Sequence, residues 1–142
     1  MTIAAILRGK GHEIIVVAPD DTVRQAVALL AERRIGAVPV VNGEEVLGVF
    51  SERDLLYCLK AGDTDVLNRP VRDVMTAPAV TVSPEDPVMG ALSLMTRRRI
   101  RHLPVVENGR MVGLVSIGDL VKYRIERVEA DAAAMRDYIQ QV

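Results

Sequence analysis

Arg33-Arg34-Ile35-Gly36-Ala37-Val38-Pro39-Val40-Val41, with Gly48-Val49-Phe50-Ser51-Glu52-Arg53-Asp54-Leu55 behind it, recurs as Arg98-Arg99-Ile100-Arg101-His102-Leu103-Pro104-Val105-Val106 with Gly113-Leu114-Val115-Ser116-Ile117-Gly118-Asp119-Leu120 behind it. The offset is constant at 65 residues (104 minus 39, 119 minus 54) and holds without a gap from about Ile14–Leu56 to Ala79–Val121. An ungapped repeat implies two similar structural units, and similar units pack about a pseudo-two-fold axis. The cleft between them is a natural ligand site.

Working outward, each repeat reads as strand, helix, strand, strand, helix. In the first, Glu13–Val17 is a β-branched run. Thr22 suits the cap of a helix whose Val23, Ala26, Val27, Leu29 and Leu30 share a face, and Gly36 closes that region. Val38–Val41 and Val46–Phe50 are expected to form strands joined at Asn42-Gly43, a dipeptide that tolerates positive φ. Ser51 then caps a helix to about Ala61, stopped by Gly62. The second copy repeats these signals, with Asp86 as a cap before Pro87, Asn108-Gly109 as the turn and Ser116 as the cap. Val71–Met75 and Thr2–Leu7 read as short helices, so each unit is expected to open with one. The expected fold class is α/β (α+β): two tandem repeats, 1–65 and 66–125, and a helical extension over 126–142. Tyr123, Val128, Ala132, Met135 and Ile139 continue an apolar stripe along that extension, which reads as an interface element rather than a solvated tail.

Bulk composition narrows the function classes. A chain of 142 residues supports one cooperative body, whereas 65 residues alone would have a marginal core. Eighteen basic against nineteen acidic residues leave a net charge of -1, which gives no global attraction to nucleic acid or anionic membrane. The single Cys58 excludes an intramolecular disulfide, and no Cys/His spacing fits zinc. Met1–Gly9 lacks the pattern of a signal peptide, and no segment reaches the roughly 20 apolar residues of a membrane span, so the expected location is cytoplasmic. No phosphate loop or nucleophile relay appears, and the chain is not expected to be an enzyme.

Ser51 with Asp54, and Ser116 with Asp119, stand three apart at the start of a helix, so hydroxyl and carboxylate look into one space beside unpaired amides. A carboxylate that can accept from two adjacent hydroxyls, next to an anion-friendly helix end, suits a ribose 5′-phosphate. Capping alone, with Ser as N-cap and Asp near the helix dipole, is the commoner use of this pattern. Duplication weakens that reading.

The paired Gly-x-x-Ser-x-x-Asp-Leu segments, the Pro-Val-Val strands and the linker Val71-Arg72-Asp73-Val74-Met75-Thr76 together resemble a cystathionine-β-synthase (CBS) domain pair, or Bateman module, from Thr2 to about Tyr123. The resemblance implies binding of adenosine-containing ligands between the repeats, with Asp54 and Ser51 in one site and Asp119 and Ser116 in the other. It also implies an adenine held by Ile15, Val16, Val38 and Pro39 in one copy and by Val80, Thr81, Leu103 and Pro104 in the other. Arg101 and His102 replace Gly36 and Ala37 of the first copy, so phosphate is expected at unequal sites, concentrated on Arg101, His102 and Arg99, while Arg97 reads as a solvated helix end. The expected order of ligands is AMP, NAD(H), ATP and last S-adenosylmethionine, whose sulfonium would be repelled by the basic pair. The expected role is a regulatory nucleotide sensor acting as a homodimer on an unidentified protein; the alternative is an RNA-binding or pure protein-interaction module with vestigial nucleotide sites. His12, without ligating neighbours beyond Glu13, reads as an exposed loop histidine.

Overall fold

The computed structural model describes residues 1–10 and 14–141, so Glu13 of the expected first strand and His12 lie outside the described residues. Helix α1 (Ile3–Lys10) is followed by α2 (Val23–Arg33), strands β1 (Ala37–Asn42) and β2 (Glu45–Ser51), and α3 (Glu52–Lys60). The second repeat contains α4 (Val88–Arg98), β3 (His102–Glu107), β4 (Arg110–Ser116) and the 24-residue α5 (Ile117–Gln140). Each repeat carries one antiparallel hairpin, and both hairpins bulge at the same place, Val40/Val41 and Val105/Val106. The architecture is α+β in two copies with an extended last helix, as the repeat implies.

Several local expectations change in detail. The first strand of each copy shrinks to a single parallel bridge, Val17 to Val40 and Val82 to Val105. Its amide pairing is nonetheless repeated: Val17 N–H donates to Pro39 O and Val41 N–H to Val17 O, and Val82 N–H to Pro104 O and Val106 N–H to Val82 O. Helix α2 stops at Arg33 rather than at Gly36, because Arg34 turns left-handed (φ 55°) and its amide caps the last turn; Arg99 does the same for α4 (φ 55°). The first hairpin turns on Gly43-Glu44, since Asn42 still pairs with Glu45, whereas the second turns on Asn108-Gly109, both at positive φ. Asp86 does not cap α4. Its carboxylate accepts the Ser83 amide instead, and Pro87 holds the cap position without a side-chain bond. Val71–Met75 forms only a 3₁₀ turn, Val71–Asp73.

The two cores show how the chain is threaded. Ile3, Ile6 and Leu7 of α1 pack with Val88, Met95, Leu103, Val115 and Leu120 of the second repeat. Val66 and Val71 of the connecting segment pack with Val23, Leu30, Val38 and Phe50 of the first. Each repeat is thus completed by a segment that the division at 65/66 assigns to the other. Backbone pairing fixes the exchange: Ile3 N–H donates to Asp86 O and Val88 N–H to Met1 O, as Val71 N–H donates to Asp21 O and Val23 N–H to Arg69 O. The motif glycines admit these segments. A Cβ on Gly48 would lie 2.6 Å from the Thr76 carbonyl oxygen, and one on Gly113 would lie 2.7 Å from Cδ2 of Leu7. The hairpins also touch directly, through Met111 N–H to Glu44 O (3.0 Å) and the Arg110–Glu44 ion pair.

Candidate functional site

Both Ser-x-x-Asp pairs form capping boxes. Asp54 N–H donates to Ser51 Oγ and Ser51 N–H to Asp54 Oδ2 (2.8 Å); Asp119 N–H donates to Ser116 Oγ (3.1 Å) and Ser116 N–H to Asp119 Oδ2 (2.9 Å). The box holds each carboxylate at the head of its helix, half-buried and facing outward, so capping and ligand contact share the same residues. Extended backbone at Ser51 (φ -130°) and Ser116 (φ -103°) makes the turn from strand to helix.

Two cavities open beside these helix starts. The larger, about 940 Å³, is lined by Leu114, Ser116 and Ile117 of the second repeat, by Lys10, and by Ile15, Ile35, Gly36 and Ala37 of the first. The smaller, about 320 Å³, is lined by Ser51, Asp54 and Thr76 on one side and by Ala79, Val80, Arg99 and Ile100 on the other. Each cleft therefore sets the helix start of one repeat against the opening segment of the other. Volumes of this size fall in the range of small-ligand pockets. Gly36, Ala37, Glu52, Arg101 and His102 border both cavities, so the clefts adjoin at that wall. Its backbone is symmetric, with Glu52 N–H donating to Gly36 O (3.0 Å) and Ile117 N–H to Arg101 O (2.8 Å).

The wall's side chains are not symmetric. Arg101 and Glu52 both flank Gly36: from the position of a Cβ there, Nη2 of Arg101 is 3.7 Å away and Oε1 of Glu52 3.2 Å. Their repeat counterparts are Gly36 and Ile117, which carry no charge. Burial pushes the His102 imidazole below its ordinary 6.5, and the positive charges of Arg101 and Lys10 push it further, against an opposing pull from Asp119. It is neutral at pH 7 and can hydrogen-bond a phosphate there without adding charge.

The carboxylates also have different company. Oδ1 of Asp54 accepts from Thr76 Oγ1 (2.8 Å) and Oδ2 from Ser51 Oγ (3.1 Å). Oδ2 of Asp119 accepts from Lys10 Nζ (2.6 Å), which also donates to Leu114 O (2.8 Å). Burial tends to raise the Asp119 pKa, but bonds from Lys10 and Ser116 outweigh it and hold the carboxyl below its usual 3.8.

Among the residues implied for adenine, Ile15 lines the larger cavity and Val80 the smaller. Val38 and Leu103 are fully buried within their repeats, Pro39 and Pro104 are also buried, and Val16 and Thr81 are exposed; none of the six lines either cavity. Val38, Pro39, Leu103 and Pro104 lie on the first strand of each hairpin, whose core-facing positions are filled by neighbouring helices. Asp54 and Val80 line the smaller cavity together, whereas Asp119 does not itself line the larger one and adjoins it through Lys10, which lines it with Ile15 and Ser116, so the copies cross-pair rather than each supplying a whole site. Arg97 lines neither cavity, while Arg98 and Arg99 line the smaller.

Thr76, Lys10 and Glu52 were not singled out from the sequence. Thr76 ends the linker signature, but both it and Lys10 lie outside the gapless repeat, which begins at about Ile14 and Ala79, so the repeat did not point to either. Nothing in the local pattern marked Glu52, whose counterpart is apolar. Among the described residues no group of His, Cys, Asp and Glu could hold a metal ion, and no helix is long and apolar enough to cross a membrane.

The sequence matches the CBS domain over residues 11–61 and again over 71–126. It is similar to the mitochondrial CBS domain-containing protein CBSX3 of Arabidopsis thaliana, 34% identical over 148 residues that cover 98% of this chain and 72% of the relative. A CBS-domain containing protein of Agrobacterium tumefaciens superposes with a TM-score of 0.81 at 36% identity, covering 87% of this chain and 99% of that one. A CBS domain protein of Pyrobaculum aerophilum, complexed with AMP, superposes with a TM-score of 0.73 at 30% identity, covering 84% of this chain and 89% of that one.

Proposed function

Because this chain belongs to the CBS-domain family, with a CBS repeat in each half, we propose that it is a regulatory module that binds adenine nucleotides in the two clefts between its repeats. Its ligands are AMP or an NAD(H)-type dinucleotide. The observation that carries this reading is the cross-pairing. In each cleft a capped helix start faces an aliphatic segment of the other repeat, Ser51 and Asp54 in the smaller and Ser116 and Ile117 in the larger, where Asp119 stands behind Lys10, with Arg101 and His102 on the common wall. The carboxylate suits ribose hydroxyls, the aliphatic residues suit a base, and the Arg101 guanidinium suits a phosphate. The AMP complex of the Pyrobaculum aerophilum relative supports the same class of ligand.

A ligand held by both repeats favours whichever arrangement of them fits it, so nucleotide occupancy becomes a change in the surface presented to a partner. No chemical step is needed for this role. Leu56 and Leu59 on α3, with Ile125 and Val128 on α5, are exposed apolar residues, which supports a homodimer joined through these helices.

The test is a thermal-shift series with AMP, ADP, ATP, NAD⁺, NADH and S-adenosylmethionine on nucleotide-free wild type, Asp54→Ala and Asp119→Ala. A ligand at a hundredfold excess over its Kd adds about 2.7 kcal/mol to the folded state, or about 8 °C at about 3 °C per kcal/mol for a chain of this length. AMP is expected to raise the wild-type Tm, and each Asp→Ala change to reduce that rise. No shift with any of the six ligands rejects the proposal.

A further inference from the structure

The two clefts differ in what already occupies the carboxylate meant for a ribose. In the smaller cleft the neighbour of Asp54 is a neutral hydroxyl, Thr76 Oγ1 at 2.8 Å. A ribose hydroxyl can replace it like for like, while Thr76, which is exposed, turns to water. At the edge of the larger cleft the neighbour of Asp119, which does not itself line the cavity, is an ammonium group, Lys10 Nζ at 2.6 Å, anchored a second time on the Leu114 carbonyl oxygen at 2.8 Å. The same Oδ2 also accepts the Ser116 amide. Lys10 is the last residue of α1 and lines the larger cavity, so its ammonium lies within the cleft beside Arg101 and His102.

Charge-assisted bonds of this kind are roughly twice as strong as those between neutral groups. A ribose approaching Asp119 must break one and leave the lysine next to other positive charge, whereas a ribose approaching Asp54 exchanges one hydroxyl for another. We propose that Lys10 is a latch on the larger cleft: it holds Asp119 in place of a ribose, so that the clefts fill in order, the Asp54 cleft first and the Asp119 cleft only when Lys10 is displaced. This inference rests on the nucleotide reading above and adds the regulation of one of its two sites.

The experiment is calorimetric titration with AMP of wild type, Lys10→Met, Lys10→Gln and Lys10→Arg, each also combined with Asp54→Ala. Wild type is expected to show a tighter and a weaker class of site. Removing the charge with Met or Gln should tighten the weaker class about threefold and leave the tighter class unchanged, and Arg, which keeps the charge, should restore wild-type behaviour. In the Asp54→Ala background only the weaker class remains, so the gain should be read there directly. A purely structural role for Lys10 would move the melting temperature without this tightening and overturns the latch. Weaker AMP binding in Lys10→Met overturns it as well, by making Lys10 a ligand contact. If AMP binds the Asp54 cleft but Lys10→Met matches wild type, the latch alone fails; if AMP binds none of the proteins, the nucleotide reading fails and the latch falls with it.

Discussion

Replacing Gly48 by alanine should damage the protein far more than the same change at its repeat counterpart, Gly113. Both glycines occupy the same place in the motif and in β2 or β4, and neither has a positive φ, so alanine is locally permitted at both. Lowering the freedom of the unfolded chain would favour either alanine by about 0.4–1 kcal/mol. What opposes it differs. The new methyl on residue 48 would lie 2.6 Å from a backbone oxygen, Thr76 O, and 2.9 Å from Met75 Sδ. Thr76 cannot step aside alone, because its N–H donates to Val49 O (2.9 Å) and its carbonyl accepts from Val49 N–H (3.0 Å). On residue 113 the methyl would meet only the end of the Leu7 side chain, 2.7 Å away at Cδ2 and 3.1 Å at Cδ1, which a rotation of Leu7 relieves. Overpacking against backbone belongs at the upper end of its usual cost, about 3 kcal/mol, and against a flexible side chain at the lower end, about 1 kcal/mol. The net effects are about 2 kcal/mol of destabilisation for Gly48→Ala and near zero for Gly113→Ala. Thermal melts should separate them, with a fall of about 6 °C against a change within about 2 °C. Equal losses, or a larger loss at 113, would refute the reasoning.

Two pH effects follow from the groups in the clefts. Asp119 has a folded-state pKa below its usual 3.8, so the stability it contributes is present above pH 4 and is lost as pH falls through the folded value; solvent screening keeps this under about 1 kcal/mol. Urea melts from pH 7 to pH 3 should show a steeper acid loss for wild type than for Asp119→Asn, and parallel curves would rule the account out. His102 is neutral at pH 7 because burial and the nearby cations lower its pKa, so a bound phosphate should draw a proton onto it as the pH falls from 7 to 5.5. The phosphate itself gains a proton with a pKa of about 6 and loses charge, so AMP affinity should be better retained across that interval in wild type than in a variant without the imidazole. Titrations of His102→Gln should show the steeper loss of affinity, and matching profiles in the two proteins would remove His102 from the phosphate contact.

Much of this molecule is legible locally. Ser51 and Ser116 announce helix starts because a hydroxyl followed three residues later by Asp satisfies the first-turn amides reciprocally, and both boxes form. The 65-residue offset carried the architecture, since the same pattern of apolar positions must bury the same faces twice. Detail was lost where competing local solutions are close in energy. Arg34 and Arg99 take the left-handed cap that a glycine usually fills, and Asp86 bonds the Ser83 amide rather than the helix behind it.

Local sequence thus decided the hairpins, the capped helices and the presence of two Ser-x-x-Asp carboxylates, because each depends on contacts within a few residues. Only the assembled fold decided which partners those carboxylates meet. Helix α1 crosses to the second core and brings Lys10 to Asp119, while the connecting segment crosses to the first core and brings Thr76 to Asp54. The two carboxylates are read identically in the chain and stand beside a cation in one cleft and a hydroxyl in the other. That difference comes from burial of apolar side chains far apart in sequence, Ile3, Ile6 and Leu7 in one core and Val66 and Val71 in the other. Such burial is non-directional, so no spacing in the chain announces which polar groups it will carry together.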